Sequence, residues 1–158
     1  MPPPLSTLGV FHTIATIIAI YVAIEGIIVE GRINLKSRSG KSYFILTSFG
    51  CLSTIWLVAR NGLYGPGHFL SLLIMILLVL ALVLEKQIER FVLFQAIALT
   101  TTLLFSLIPA VMETLTRLPL HAPFATGPDD TIVKTSLAIL FLSFLGTLFW
   151  QVQKFKRT

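Results

Sequence analysis

Residues 68–84 read HFLSLLIMILLVLALVL, an apolar run that contains no charged residue. A helix of this length is about long enough to cross the hydrocarbon core of a bilayer. Further apolar runs occupy residues 8–29, 43–60, 91–112 and 132–151. The pattern predicts an integral membrane protein with five transmembrane helices.

The composition supports the same fold class. Hydrophobic residues make up 55% of the 158 residues and charged residues only 12%, which is more apolar surface than one small soluble core could hide. Inside hydrocarbon, backbone polar groups must be bonded within their own segment, and runs rich in Leu, Ile and Ala without two-residue alternation do so as helices. We therefore expect an all-α bundle, with residues 1–158 forming a single transmembrane domain because the polar links are too short to be domains.

Basic residues are distributed unequally between the two ends of the predicted helices. One end carries Arg32, Lys36, Arg38, Lys41, Lys86, Arg90, Lys154, Lys156 and Arg157. The other end carries only Arg60, Arg117 and Lys134. The positive-inside rule predicts that the first end is cytoplasmic, with the N-terminus outside and the C-terminus in the cytoplasm. The net charge of +5 then reflects topology and requires no nucleic-acid partner.

The ends of the apolar runs carry further topological signals. The first six residues offer no positively charged region typical of a cleaved signal peptide, so the first helix is expected to stay in the mature protein. Tyr43 and Trp150 lie near predicted cytoplasmic helix ends, where aromatic side chains often anchor a membrane helix. We expect both to be interfacial.

The first helix carries a stripe of small residues. Steps of three and four residues from His12 pass through Thr16, Ala19, Ala23 and Gly26. Small residues allow membrane helices to approach closely. The stripe is therefore expected to face other helices, with His12 turned inward.

Three polar residues are candidates for an intramembrane site: Glu25 and Gln95 within the apolar runs, and Glu113 directly after the fourth run. Glu25 is interpreted as a carboxylate that reaches the head groups or, alternatively, as one that serves proton or ion movement. Gln95 and Glu113 belong to a stripe on the fourth helix whose hydroxyls, Thr102 and Ser106, are expected to bond across helices or to their own carbonyls. Charged partners at mid-depth are almost absent, which disfavours an ion channel or a proton-coupled transporter.

All three histidines are expected at the outer side. His12 begins the first helix, His68 begins the third, and His121 follows the fourth. His12 and His68 could ligate a b-type haem, copper or zinc, or singly the magnesium of a chlorophyll-type pigment, with Arg60 beside a haem propionate. No histidine pair has i, i+4 spacing, and no Cys or carboxylate repeat accompanies them. The favoured interpretation is hydrogen bonding at the interface without a cofactor, and cofactor binding is the alternative.

Two segments add a family resemblance: Ser39-Gly40-Lys41-Ser42-Tyr43 after a basic loop, and Gly65-Pro66-Gly67-His68-Phe69-Leu70-Ser71-Leu72. Together with His12, they resemble a family of bacterial polytopic membrane proteins of unknown function. Its members have a first-helix His, a His-Arg-x-x-Gly loop and a Phe-His-like start to the third helix. The resemblance covers about four helices and implies a bacterial cytoplasmic membrane. Lys36 and Ser37 replace the loop's His-Arg pair, which implies that any cytoplasmic-side binding has been lost.

No residue pattern predicts catalysis, because the chain lacks a nucleophile paired with a base, a phosphate-binding loop and paired catalytic carboxylates. The chain is therefore expected not to be an enzyme. The favoured function is a non-catalytic accessory or scaffold subunit of a larger membrane complex, such as an electron-transfer or photosynthetic assembly. Its partners would be membrane lipids and other membrane subunits. The alternatives are a small membrane redox or pigment-binding protein that uses the outer histidines, and a small-molecule permease.

Overall fold

The computed structural model describes residues 7–61, 65–86, 91–119 and 121–156, and for residues 57–61, 66 and 86 only the backbone is considered. Within this part the chain forms helices and no strand, as predicted. The five helices are α1 (Thr7–Glu30), α2 (Arg38–Asn61), α3 (Pro66–Lys86), α4 (Val92–Arg117) and α5 (Thr131–Lys156). Four of them, α1, α3, α4 and α5, are long and apolar enough to span a membrane, which indicates an integral membrane protein.

The connection between α1 and α2 is a compact, hydrogen-bonded turn. Gly31 ends α1 with a φ of +82°, and its N–H donates to the Ile27 carbonyl, the usual left-handed helix ending. Ser37 caps α2, because its Oγ accepts from the Gly40 N–H at 3.2 Å. This cap starts α2 at Arg38 rather than at Tyr43, where the apolar run begins. Ile33 and Leu35 of the turn are buried beneath the bundle.

Helices α1 to α4 form a bundle in which each helix packs against the next and α4 returns to α1. The small residues Ala15, Ala19, Ala23 and Gly26 are the buried residues of α1, which confirms its predicted packing face. Larger side chains, among them Leu78, Leu99 and Leu103, complete the core. The fifth helix lies outside this bundle and packs against α4.

The C-terminal ends of α1 and α5 lie at the same end of the molecule. The Lys154 ammonium donates to the Glu30 carbonyl at 3.1 Å, and the Arg32 guanidinium lies 5.6 Å from the centre of the Phe155 ring. Basic residues from the α1–α2 turn and from the end of α5 therefore lie at the same end of the molecule, as their distribution in the sequence predicted.

The segment between α4 and α5 is held by hydrogen bonds at both ends. The Ala125 N–H donates to the Leu115 carbonyl, and Ala125 is buried. At the other end, Asp130 caps α5: one carboxylate oxygen accepts from the Ile132 N–H at 3.3 Å and the other from the Thr126 N–H at 3.2 Å. These backbone N–H groups, Thr126 first and then Ile132, hold the pKa of Asp130 below its usual value.

Asp130→Asn is expected to destabilise the α5 end of this segment at neutral pH and to have less effect in acid. Because the folded state lowers the pKa, ionised Asp130 stabilises the fold above the ordinary aspartate pKa, and this contribution is lost as the pH falls through the lowered value. The measurement is the midpoint of thermal unfolding in detergent for both proteins, from neutral pH downward. Asp129→Asn removes the same charge one residue earlier and leaves the cap intact. A difference between wild type and Asp130→Asn that does not change with pH would contradict this account.

Candidate functional site

His12 is fixed between α1 and α2. Its Nδ1 lies 2.8 Å from Ser53 Oγ and 3.1 Å from the Gly50 carbonyl oxygen. Gly50 has no side chain, so the imidazole and the Thr16 hydroxyl can approach the α2 backbone closely. The glycine and the small residues of α1 thus explain why a histidine fits here, half-buried and turned inward as predicted.

The second ring nitrogen of His12 has a different environment. Nε2 makes no hydrogen bond within the described part of the chain, whereas Nδ1 is held by α2. In metal-binding histidines one ring nitrogen is held by a hydrogen bond and the other ligates the metal. The hydrogen bonding of His12 through Nδ1 alone is compatible with that arrangement.

The other two histidines have surroundings different from those of His12. His68 bonds within its own turn, where Nδ1 lies 2.8 Å from the Gly65 nitrogen, and His121 is exposed in the segment after α4. The side chain of Arg60 lies outside the described residues. Among the described residues, no group of three His, Cys, Asp or Glu side chains could hold a metal ion.

The buried polar side chains of α2 and α4 bind one another. The Tyr43 hydroxyl lies 2.7 Å from Thr102 Oγ1, and Ser106 donates to the Thr102 carbonyl. Thr47 Oγ1 is buried in the same region and has no hydrogen-bond partner among the described groups. The interfacial position predicted for Tyr43 is wrong, because the side chain is fully buried at 0% exposure. The phenol contacts Thr102 of α4 instead of the lipid head groups.

Two further cross-helix contacts connect α4 to its other neighbours. Gln95 Nε2 donates to the Ala81 carbonyl of α3 at 3.0 Å. On the opposite side, Thr100 Oγ1 donates to Gln151 Oε1 of α5 at 3.1 Å, and both residues are buried. The prediction for the hydroxyls of the α4 stripe is confirmed, because Thr102 bonds across to Tyr43 of α2 and Ser106 donates to the Thr102 carbonyl of its own helix.

The three candidates for an intramembrane polar site do not meet. Gln95 is buried between α3 and α4, whereas Glu25 is exposed on the outside of α1. Glu113 is exposed near the end of α4 and forms an ion pair with Arg117 at 2.7 Å. The described residues therefore contain no continuous line of charged groups through the bundle.

Sequence reasoning missed Gln151 and the basic pocket beside it. Gln151 is an amide near the end of an otherwise apolar helix, a signal that could have marked it as a helix-to-helix contact. One turn further along, residues of α5 and of the α1–α2 turn line a pocket of about 160 Å³. Its lining residues are Glu30, Gly31, Arg32, Lys154 and Phe155.

Comparison of the chain with protein-family models, with curated proteins and with solved structures gave no match. A function is therefore inferred from the contacts described above.

Proposed function

We propose that this chain is a non-catalytic accessory or scaffold subunit that packs against other proteins of a larger complex, such as an electron-transfer or photosynthetic assembly. The proposed location is a bacterial cytoplasmic membrane, with the basic end in the cytoplasm. We also propose that the chain is related to the bacterial family of unknown function, and that Lys36 stands where that family has its loop histidine. The observation that carries the proposal is the placement of α5.

Helix α5 presents a wide apolar face away from the bundle. Within an 18-residue apolar segment of α5 only 6% of the segment is buried, whereas 44% of the corresponding segment of α4 is buried. Steps of three and four residues place Ile139, Leu142, Gly146 and Phe149 on one face, which we name the α5 outer face. Its three large side chains are 60–67% exposed, and a Cβ at Gly146 would meet no atom within 4 Å. A glycine within an exposed apolar face lets the backbone of another membrane helix approach closely.

The polar groups of the bundle support a structural role. Tyr43, Gln95, Thr100 and Gln151 all bond to neighbouring helices. Each of these contacts joins α4 to one of its neighbouring helices. This use of the polar groups supports the proposed packing role.

The test is purification from the native membrane in a mild detergent, followed by mass spectrometry of the proteins that accompany the chain. We expect a stoichiometric membrane partner, which Gly146→Leu releases by adding bulk to the α5 outer face. Thr13→Leu adds bulk to an exposed position of α1 and should retain the partner. A stable, solitary monomer recovered without a stoichiometric partner would refute the proposal.

A second candidate is a small redox or pigment-binding protein, favoured by the tethered Nδ1 and available Nε2 of His12. A single imidazole of this kind could ligate a chlorophyll-type magnesium, whereas a haem would need a second ligand such as His68. The absorption spectrum of the same purified sample tests it. A Soret or chlorin band that disappears in His12→Ala, and persists in His121→Ala, would support it. The absence of any band when pigment and haem are supplied in full would exclude it.

A further inference from the structure

A groove runs along the surface between α1 and α5, on the side of α5 away from its outer face. Helix α4 forms its floor, and its volume is about 190 Å³. Its lining includes Ile24, Ile27 and Ile28 of α1, Leu103 and Leu107 of α4, and Phe144 of α5. Because the groove is apolar and open at the side, it has the surface chemistry that suits a hydrocarbon chain.

The basic pocket lies beyond the cytoplasmic-side end of this groove, along the same two helices. Ile27 and Ile28 line the groove and Gly31, at the end of α1, lines the pocket, so the two follow each other along the same side of α1. On α5 the step from Thr147 to Lys154 is about 10 Å along the helix axis. An apolar groove followed by a basic pocket matches a ligand that has an apolar tail with a polar head at one end.

The charges in the pocket favour an anionic head. Two cations, Arg32 and Lys154, line the pocket. Arg32 lies over the Phe155 ring, and the Lys154 ammonium, 5.4 Å from the Trp150 ring centre, also donates one hydrogen bond to the Glu30 carbonyl. The only acidic side chain in the lining is Glu30, and its carboxylate accepts from Asn34 Nδ2 at 2.8 Å. The lining residues therefore carry a net positive charge.

We propose that an anionic phospholipid, of the phosphatidylglycerol class, occupies this groove. One acyl chain lies between α1 and α5, and the phosphate binds between Arg32 and Lys154. A guanidinium and an ammonium are both suited to binding phosphate oxygens. This site uses a face of α5 other than its outer face, so it does not depend on the proposed protein partner.

The experiment titrates the full chain, stripped of lipid in detergent, with dioleoyl phosphatidylglycerol and counts the bound lipid by native mass spectrometry. We expect phosphatidylglycerol to bind more tightly than phosphatidylcholine. The double variant Arg32→Gln/Lys154→Gln should weaken phosphatidylglycerol binding about 10- to 30-fold. The matched variant Lys36→Gln/Arg38→Gln removes the same charge from exposed residues outside the pocket and should change binding less than about twofold.

A second pair of variants tests the apolar part of the site. Ser143→Phe fills the groove and should weaken phosphatidylglycerol binding, whereas Thr135→Phe places the same ring on an exposed position outside it. Glycerol phosphate, which has the head-group chemistry without acyl chains, should fail to displace the lipid. Competition by glycerol phosphate, or normal lipid binding by Ser143→Phe, would refute occupation of the groove.

The charge variants need a check on folding. Each protein should elute as a monodisperse peak with an unchanged helical circular dichroism spectrum, and the conservative pair Arg32→Lys/Lys154→Arg should restore binding. Equal losses in Arg32→Gln/Lys154→Gln and in Lys36→Gln/Arg38→Gln would show only a general attraction between a basic surface and acidic lipid. That result would overturn the proposed site.

Discussion

Gly40→Ala is expected to destabilise the folded protein by about 3 kcal/mol, at the upper end of overpacked substitutions. Gly40 lies in the first turn of α2, where an added Cβ would overlap the Asn34 carbonyl group. That carbonyl accepts hydrogen bonds from the N–H and the hydroxyl of Ser37, at 3.0 and 2.8 Å. The backbone can therefore move aside only by disrupting the turn that caps α2.

The measurement is thermal stability in detergent, taken as the temperature at which half of the protein still elutes as a monodisperse peak. Gly146→Ala is the matched control, because a Cβ there meets nothing within 4 Å. It makes the same chemical change within a helix and should leave the midpoint unchanged or slightly higher, since alanine favours helix more than glycine does. Equal midpoints for Gly40→Ala and wild type would contradict the close approach of α2 to the turn.

Ala23→Leu is expected to have the second largest effect, a loss of about 2–3 kcal/mol. Ala23 is fully buried at 0% exposure on the packing face of α1, between Ala19 and Gly26. The substitution replaces one apolar residue with another, so its effect reports crowding rather than polarity. The larger side chain must separate α1 from its neighbours, which would also shift His12 relative to Ser53.

The same chromatographic assay measures this loss. Ala138→Leu adds an identical increment of bulk to α5 at an exposed position. In a membrane or micelle that side chain meets lipid or detergent, so its midpoint should stay near the wild-type value. If both substitutions lower the midpoint equally, bulk at the α1 packing face is not the cause of the destabilisation.

Periodicity and composition predict most of the helical architecture. The apolar runs locate all five helices, and the spacing of Ala19, Ala23 and Gly26 identifies the face of α1 that packs. Both signals depend on residues near one another in sequence and on the solvent that surrounds them. Neither requires knowledge of which helices are neighbours.

Helix ends were less predictable from apolar runs, because capping is decided by single polar residues. Ser37 starts α2 within the basic turn, and α4 continues to Arg117 beyond the apolar run that ends at Met112. A helix in a membrane protein extends past the hydrocarbon wherever its backbone is still capped or hydrogen-bonded. Hydropathy measures only the part of the helix that lipid contacts.

The candidate site was less predictable still, because it depends on helix order. Tyr43 bonds to Thr102 across a separation of 59 residues, and Thr100 bonds to Gln151 across 51. Nothing in the local sequence of Tyr43 states that α4 lies opposite it. The small residues of α1 predicted that His12 faces inward, but its partners on α2 depend on the register between the two helices.

The peripheral position of α5 has a consequence for biogenesis. The buried core cluster consists of residues from α1 to α4 and the α1–α2 turn. Because none of these residues belongs to α5, the other four helices can pack together before α5 docks against α4. Until then, Thr100 has no Gln151 to bind, and neither the α1–α5 groove nor the α5 outer face exists. Docking of α5 would thus create the surfaces on which the proposed lipid and the proposed protein partner both depend, so a chain with α5 undocked would bind neither.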